Sequence, residues 1–90
     1  RPDHEHTAEV RIYIGPNARL RGGGSHALPF VITQLPRLNV TALAAYIFGH
    51  NQPSLGLFKK FGFNQWGWLP AVAQLDGQKR DLVIMGQRFD

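Results

Sequence analysis

No cysteine occurs in the 90 residues, which removes disulfides and thiolate metal sites as the means of holding a small fold together. The cytoplasm is the compartment expected from that absence. No run approaches the roughly 18 apolar residues that a membrane-spanning helix needs. The chain opens on Arg-Pro-Asp-His rather than on a basic stretch leading into an apolar one, so neither a membrane span nor a signal segment is expected. Acidic residues are absent from a long interval: none lies between Glu9 and Asp76, whereas Arg11, Arg19, Arg21, Arg37, Lys59 and Lys60 all do. The middle of the chain is therefore purely cationic within a net charge of +4, and such a field attracts an anionic partner, either a polyphosphate cofactor or a nucleic acid. His4, His6, His26 and His50 have no recognisable metal spacing, so no metal is expected.

What is present belongs to a packed domain. An apolar fraction of 43% and an aromatic fraction of 11% exceed those of disordered chains. Ninety residues make a single domain, residues 1–90, which removes only about 60% of its unfolded surface from water. Residues 9–14 alternate polar and apolar positions, placing Val10, Ile12 and Ile14 on one face of a strand and Glu9, Arg11 and Tyr13 on the other. Gly15-Pro16-Asn17 breaks it, and the apolar stretch 28–35 suits a short helix ended by Pro36. Pro29 would distort its first turn by removing a hydrogen bond to the carbonyl of Ser25.

Residues 40–48 are apolar and partly β-branched, as parallel strands buried on both faces are. Strand, helix, strand in that order predicts a right-handed βαβ unit. A second helix is expected over 53–61, with Asn51 or Gln52 near its cap, Pro53 in its first turn, Gly62 closing it, and Leu55, Phe58 and Phe61 facing inward. Two late strands, near 63–69 and 80–88, flank Asp76-Gly77, which is hairpin chemistry. The expected fold class is α/β in the order β-α-β-α-β-β with a mixed sheet.

Arg19-Leu20-Arg21-Gly22-Gly23-Gly24-Ser25 carries the strongest chemical signal. Glycines let the backbone approach a ligand closely, and the start of a helix points unpaired amides at it, so a pyrophosphate held there is stabilised by both. Arg19 and Arg21 add charge. A flexible glycine loop with solvated arginines is the plainer reading of the same heptapeptide.

With its position after a strand, this segment fits the Gln/Arg-x-x-Gly-x-Gly/Ala motif of the GNAT family of N-acetyltransferases. The run Asn51-Gln52-Pro53-Ser54-Leu55-Gly56-Leu57-Phe58-Lys59-Lys60-Phe61-Gly62-Phe63 is similar to the family's second signature, an Asn and Ser followed by a helix ending in Gly-Phe. Thr7-Ala8-Glu9, Gly67-Trp68-Leu69-Pro70 and Asp81-Leu82 further resemble the phosphinothricin and methionine sulfoximine acetyltransferase branch. The chain thus resembles the C-terminal, acetyl-CoA-binding half of a GNAT (acyl-CoA N-acyltransferase) fold.

The resemblance implies acetyl transfer from acetyl-CoA to the primary amine of a small amino-acid-like acceptor. In it the backbone of Ile12, Tyr13 and Ile14 bonds the pantetheine arm, Arg19, Leu20, Arg21, Gly22, Gly23, Gly24 and Ser25 hold the pyrophosphate, and Asn51 and Ser54 lie along the cofactor. Glu9 matches the branch's general base. Read from the residues alone, Asn51 is equally a helix cap, and Glu9 equally a solvent-facing strand residue paired with Arg11 or a neighbour.

Phe58 departs from the family, which often places Tyr there, or His in this branch, to meet the leaving thiolate. The thiolate of a thiol with pKa near 8.5 leaves tolerably without that acid. Relatives also place several strands, helices and much of the acceptor pocket before the strand at Glu9, so residues 9–14 are expected to form an apolar edge strand that pairs with a missing N-terminal half. A homodimer is implied as well, since relatives commonly dimerise. Two other classes are kept: a non-catalytic or truncated CoA-binding fragment, and a small basic nucleic-acid-binding domain. The latter is disfavoured because the basic residues are not interleaved with aromatics on one strand face.

Overall fold

A computed structural model describes residues 8–15 and 39–89. The first expected helix, the distortion at Pro29 and the glycine turn at 19–25 lie outside the described residues. The elements are β1 (Ala8–Tyr13), β2 (Val40–Phe48), α1 (Gln52–Lys60), β3 (Asn64–Leu75) and β4 (Gln78–Arg88). They build one four-stranded sheet in the order β1-β2-β4-β3. β1 and β2 are parallel, whereas β4 runs antiparallel to both β2 and β3. The sheet is therefore mixed, as expected.

The alternation in β1 holds. Val10, Ile12 and Ile14 pack on the core, whereas Glu9, Arg11 and Tyr13 are exposed. β1 is the edge strand among the described elements, and its apolar residues are partly buried against the core. One irregularity sets the phase: Ala8 pairs with Val40 and Glu9 with Ala42, so Thr41 is an extra residue in β2. Because of that extra residue Val40, rather than Thr41, joins Leu43, Ala45 and Ile47 in the core. β2 departs from the expectation of burial on both faces. Leu43, Ala45 and Ile47 are fully buried, while Ala44, Tyr46 and Phe48 between them are half-buried.

α1 is fixed at both ends by local chemistry. Asn51 Oδ1 accepts from the Ser54 amide at 3.3 Å, satisfying one of the unpaired donors at the helix start. Pro53 occupies the first turn, where a missing N–H costs nothing. Lys59 and Lys60 complement the dipole at the other end. The helix stops in a Schellman motif: Gly62, at φ +90°, donates to Lys59 O at 3.0 Å, and Phe63 donates to Phe58 O at 3.0 Å. The apolar contact that accompanies this motif is Phe58 against Phe63, edge to face at 4.9 Å. Leu57 is buried with Phe58, whereas Leu55 and Phe61 are only partly covered.

The hairpin is tighter and longer than its residues foretell. Leu75 pairs with Gln78, and Asp76 and Gly77 have φ of 53° and 75°, the two positive values of a type I′ turn. β3 runs to Leu75 instead of ending at 69 because Pro70 sits in an irregularity that lets pairing resume. Leu69 pairs with Leu82 and Ala73 with Arg80, leaving residues 70–72 opposite Asp81. There Ala71 takes φ 50° and its amide donates to Asp81 Oδ1 at 2.7 Å. A second extra residue, Trp66, lies between the pairs Gln65–Met85 and Gly67–Ile84. Its indole covers Gly86 so closely that a Cβ there would overlap the ring.

Candidate active site at the end of the parallel strands

In sheets with parallel strands, ligands are received beyond the carboxyl ends of those strands. The β1–β2 pair supplies such an end here. Its last rung is the Ile14 amide donating to Tyr46 O at 2.9 Å, and beyond it β2 continues through Ile47 and Phe48 without a β1 partner. Three residues past β2 stands Asn51, the cap of α1, 6% exposed. Ile14, Asn51 and Ser54 are thus gathered at one end by topology, although 37 positions separate Ile14 from Asn51 in the chain (51 − 14).

Asn51 takes the capping role that its residue type allows, its Oδ1 turned to Ser54 N. Ser54 is fully buried, and its Oγ has no hydrogen-bond partner among the described residues. A buried hydroxyl without a partner costs about 1–3 kcal/mol, so Ser54 is the orphaned polar group that a ligand at this end would satisfy. Ile14 spends its amide on Tyr46, which leaves a bound arm to use other backbone groups of Ile12 and Tyr13. The Tyr13 ring, 72% exposed, stacks on Tyr46 at 4.9 Å on the sheet face away from α1.

Glu9 lies at the opposite end of β1. Ile14 is five positions further on (14 − 9), about 16 Å of strand. Glu9 is exposed. Arg19, Leu20, Arg21, Gly22, Gly23, Gly24 and Ser25 follow β1 in the sequence but lie outside the described residues. Phe58 is 1% exposed inside the core, so its ring acts as packing for the helix terminus. Among the described residues no group of three or more His, Asp and Glu is placed to hold a metal ion, and no helix is long and apolar enough to cross a membrane. The residue pattern alone did not single out Leu57 or the Trp66–Gly86 contact. The first was hidden by the stronger aromatic signal of Phe58, and the second depends on a β-bulge.

Comparison with known proteins agrees with this architecture. Residues 1–63 match the family described as the Acetyltransferase (GNAT) family. The Bacillus subtilis (strain 168) protein named "Putative phosphinothricin acetyltransferase YwnH" is 47% identical over 89 residues, 99% of this chain and 55% of its own length. The L-methionine sulfoximine/L-methionine sulfone acetyltransferase of Pseudomonas aeruginosa is 30% identical over 84 residues, 93% of this chain and 49% of its own. The chain therefore spans about half the length of these curated relatives. A solved structure described as "Crystal structure of a putative phosphinothricin N-acetyltransferase" superposes with a TM-score of 0.77 at 40% identity over 100% of this chain and 57% of that one. The structure of yncA from Salmonella typhimurium with acetyl-CoA shares the fold, with a TM-score of 0.77 at 24% identity over 96% of this chain and 50% of that one.

Proposed function

Because the chain belongs to the GNAT acetyltransferase family, we propose that it carries the cofactor side of an N-acetyltransferase acting on the primary amine of a small amino-acid-like acceptor, phosphinothricin or methionine sulfoximine in type. The observation that carries this reading is the open end of the β1–β2 pair, where β2 outlasts β1 and the first turn of the capped helix holds the orphaned Ser54 hydroxyl. Acetyl-CoA supplies the acetyl group as a thioester. The names of the two curated relatives support the acceptor class, and the fold neighbour that holds acetyl-CoA supports the donor.

Each residue then has a task that follows from its position. Backbone groups of Ile12, Tyr13 and Ile14 align the pantetheine arm along β1. Arg19, Leu20, Arg21, Gly22, Gly23, Gly24 and Ser25 hold the pyrophosphate, because glycine permits close approach and the arginines neutralise charge. Asn51 and Ser54 flank the arm. Glu9, near the amino end of β1, removes a proton from the acceptor ammonium directly or through water. The freed amine attacks the thioester carbonyl, its nitrogen gives up a second proton to solvent as the C–S bond breaks, and the departing thiolate takes a proton from solvent. Phe58 supplies none. No metal is needed for any of these steps.

Calorimetric titration with acetyl-CoA tests the binding step. Gly24→Glu should abolish it in a protein that stays folded, by steric block and charge repulsion, and Gly23→Ala should be tolerated better. Arg21→Ala should weaken binding less and flatten its salt dependence. Unchanged affinity in folded Gly24→Glu would move the cofactor elsewhere. Thiol release with phosphinothricin or methionine sulfoximine tests the reaction. In a complete enzyme carrying this half, Glu9→Gln should lower turnover by about 10²–10⁴-fold with little change in acetyl-CoA affinity, and the defect should shrink as pH rises, because unprotonated amine then needs no base. The 90-residue chain alone should show no appreciable transfer.

A further inference from the structure

A groove of about 490 Å³ opens on the flank of α1 that faces the β3–β4 hairpin, within the size range of small-molecule sites. Gln52, Leu55, Gly56 and Lys59 form its helical wall. They repeat at i, i+3, i+4 and i+7, a stripe distinct from the buried Ser54, Leu57 and Phe58. Val83 and Met85 give it an apolar floor, and Trp68 forms part of its strand wall with 60% of its surface still exposed. Three cations line it, Lys59, Lys79 and Arg80, against one carboxylate, Asp81, whose Oδ1 accepts from the Ala71 amide. None of the three cations pairs with a carboxylate among the described residues, and Arg80 Nε is buried without an acceptor there. Buried donors are nearly always paired in folded proteins. An unpaired one in a cationic, aromatic-walled groove is explained by a ligand that brings the acceptor.

We infer that this groove binds a small organic anion with a planar apolar body, its charge set among Lys59, Lys79 and Arg80 and its ring against Trp68. An indole face accepts a flat partner by stacking, and the floor of Val83 and Met85 rewards burial of carbon rather than of a bare ion. The groove reaches the end of β2 through Gly49 and His50, but it uses another side of α1: Asn51 and Ser54 are absent from its wall, which Gln52, Leu55, Gly56 and Lys59 form.

The probe is 2-naphthoate, with 2-naphthamide as its uncharged counterpart, followed by amide and indole chemical shifts in the ¹⁵N-labelled chain. 2-Naphthoate should shift the Trp68 indole and the amides of Gly56, Lys79 and Arg80 in one saturable process. The amide should bind at least about fivefold more weakly. Lys79→Gln and Lys59→Gln should each weaken naphthoate about two- to fivefold, as expected for partly solvated charge pairs. Trp68→Ala should remove the response at the remaining reporters, and its exposed position leaves folding intact. Equal affinity for naphthoate and naphthamide, or shifts spread over the surface without saturation, would overturn the assignment. So would displacement of the probe by stoichiometric coenzyme A, which would make the groove an extension of the cofactor site. Failure of coenzyme A to bind at all would leave the naphthoate result standing, so the two readings fail separately.

Discussion

The two halves of the sheet are held by different means. β1 and β2 are parallel and joined only through residues 14–39, so their pairing depends on a distant partner and on the helix packed behind them. β3 and β4 are joined by a two-residue turn and pair along almost their whole length, which needs little beyond local chemistry. The candidate active site sits on the first half, and the cationic groove lies against the second. Chemistry placed at an open strand end can be reshaped by whatever covers β1, whereas the hairpin carries its own register and offers a fixed wall.

Phe58→Ala is the strongest way to break that contrast. Phe58 joins the helix terminus to the core, and truncating such a residue costs about 3–5 kcal/mol, a large share of the stability of a 90-residue domain. Urea unfolding should register that loss, and amide exchange should accelerate most in β1 and β2. If β3 and β4 lost protection to the same degree, the halves would be one cooperative unit.

Gly86→Ala acts on the hairpin instead, by driving a methyl into the Trp66 indole. Overpacking of this kind costs about 1–3 kcal/mol, and Trp66→Ala in the same chain should recover most of it. A double-mutant cycle with no coupling would remove Trp66 as the cover of Gly86. At the boundary of the two halves, Asn51→Ala should cost about 1 kcal/mol through loss of the cap, and Asn51→Ser much less, read from the urea midpoint. Ala71→Gly should have the smallest effect. Relief of a left-handed backbone worth roughly 1–2 kcal/mol is opposed by roughly 0.4–1 kcal/mol of added freedom in the unfolded chain, so thermal unfolding should show a slight gain.

Where the residues carry strong local rules, structure and sequence coincide. β2 spans 40–48 as its apolar run requires, α1 begins at the Asn51 cap and stops at Gly62, and Asp76-Gly77 turns the hairpin. The misses share a cause: each depends on a residue that is out of phase. Thr41 shifts the burial pattern of β2, Trp66 shifts that of β3, and residues 70–72 carry β3 past a proline that ordinarily ends a strand. A period-two pattern cannot register an extra residue in one strand, because the bulge is defined by its neighbour.

For the candidate site the division is similar. Arg19 to Ser25 fit a pyrophosphate turn and a plain glycine loop alike, and Asn51 fits a helix cap; the resemblance of both segments to the family's motifs is what points to a phosphate-bearing cofactor. Tertiary structure decided what no spacing could. Parallel pairing brings Ile14 and Asn51 to one end while leaving Glu9 at the other. Packing turns Phe58 into a core residue and leaves the Ser54 hydroxyl without a described partner. Return of the hairpin past α1 sets Trp68, Lys79 and Arg80 opposite Lys59. Those proximities depend on which faces of the strands and helix meet, and burial of apolar surface selects that arrangement only when the elements pack together.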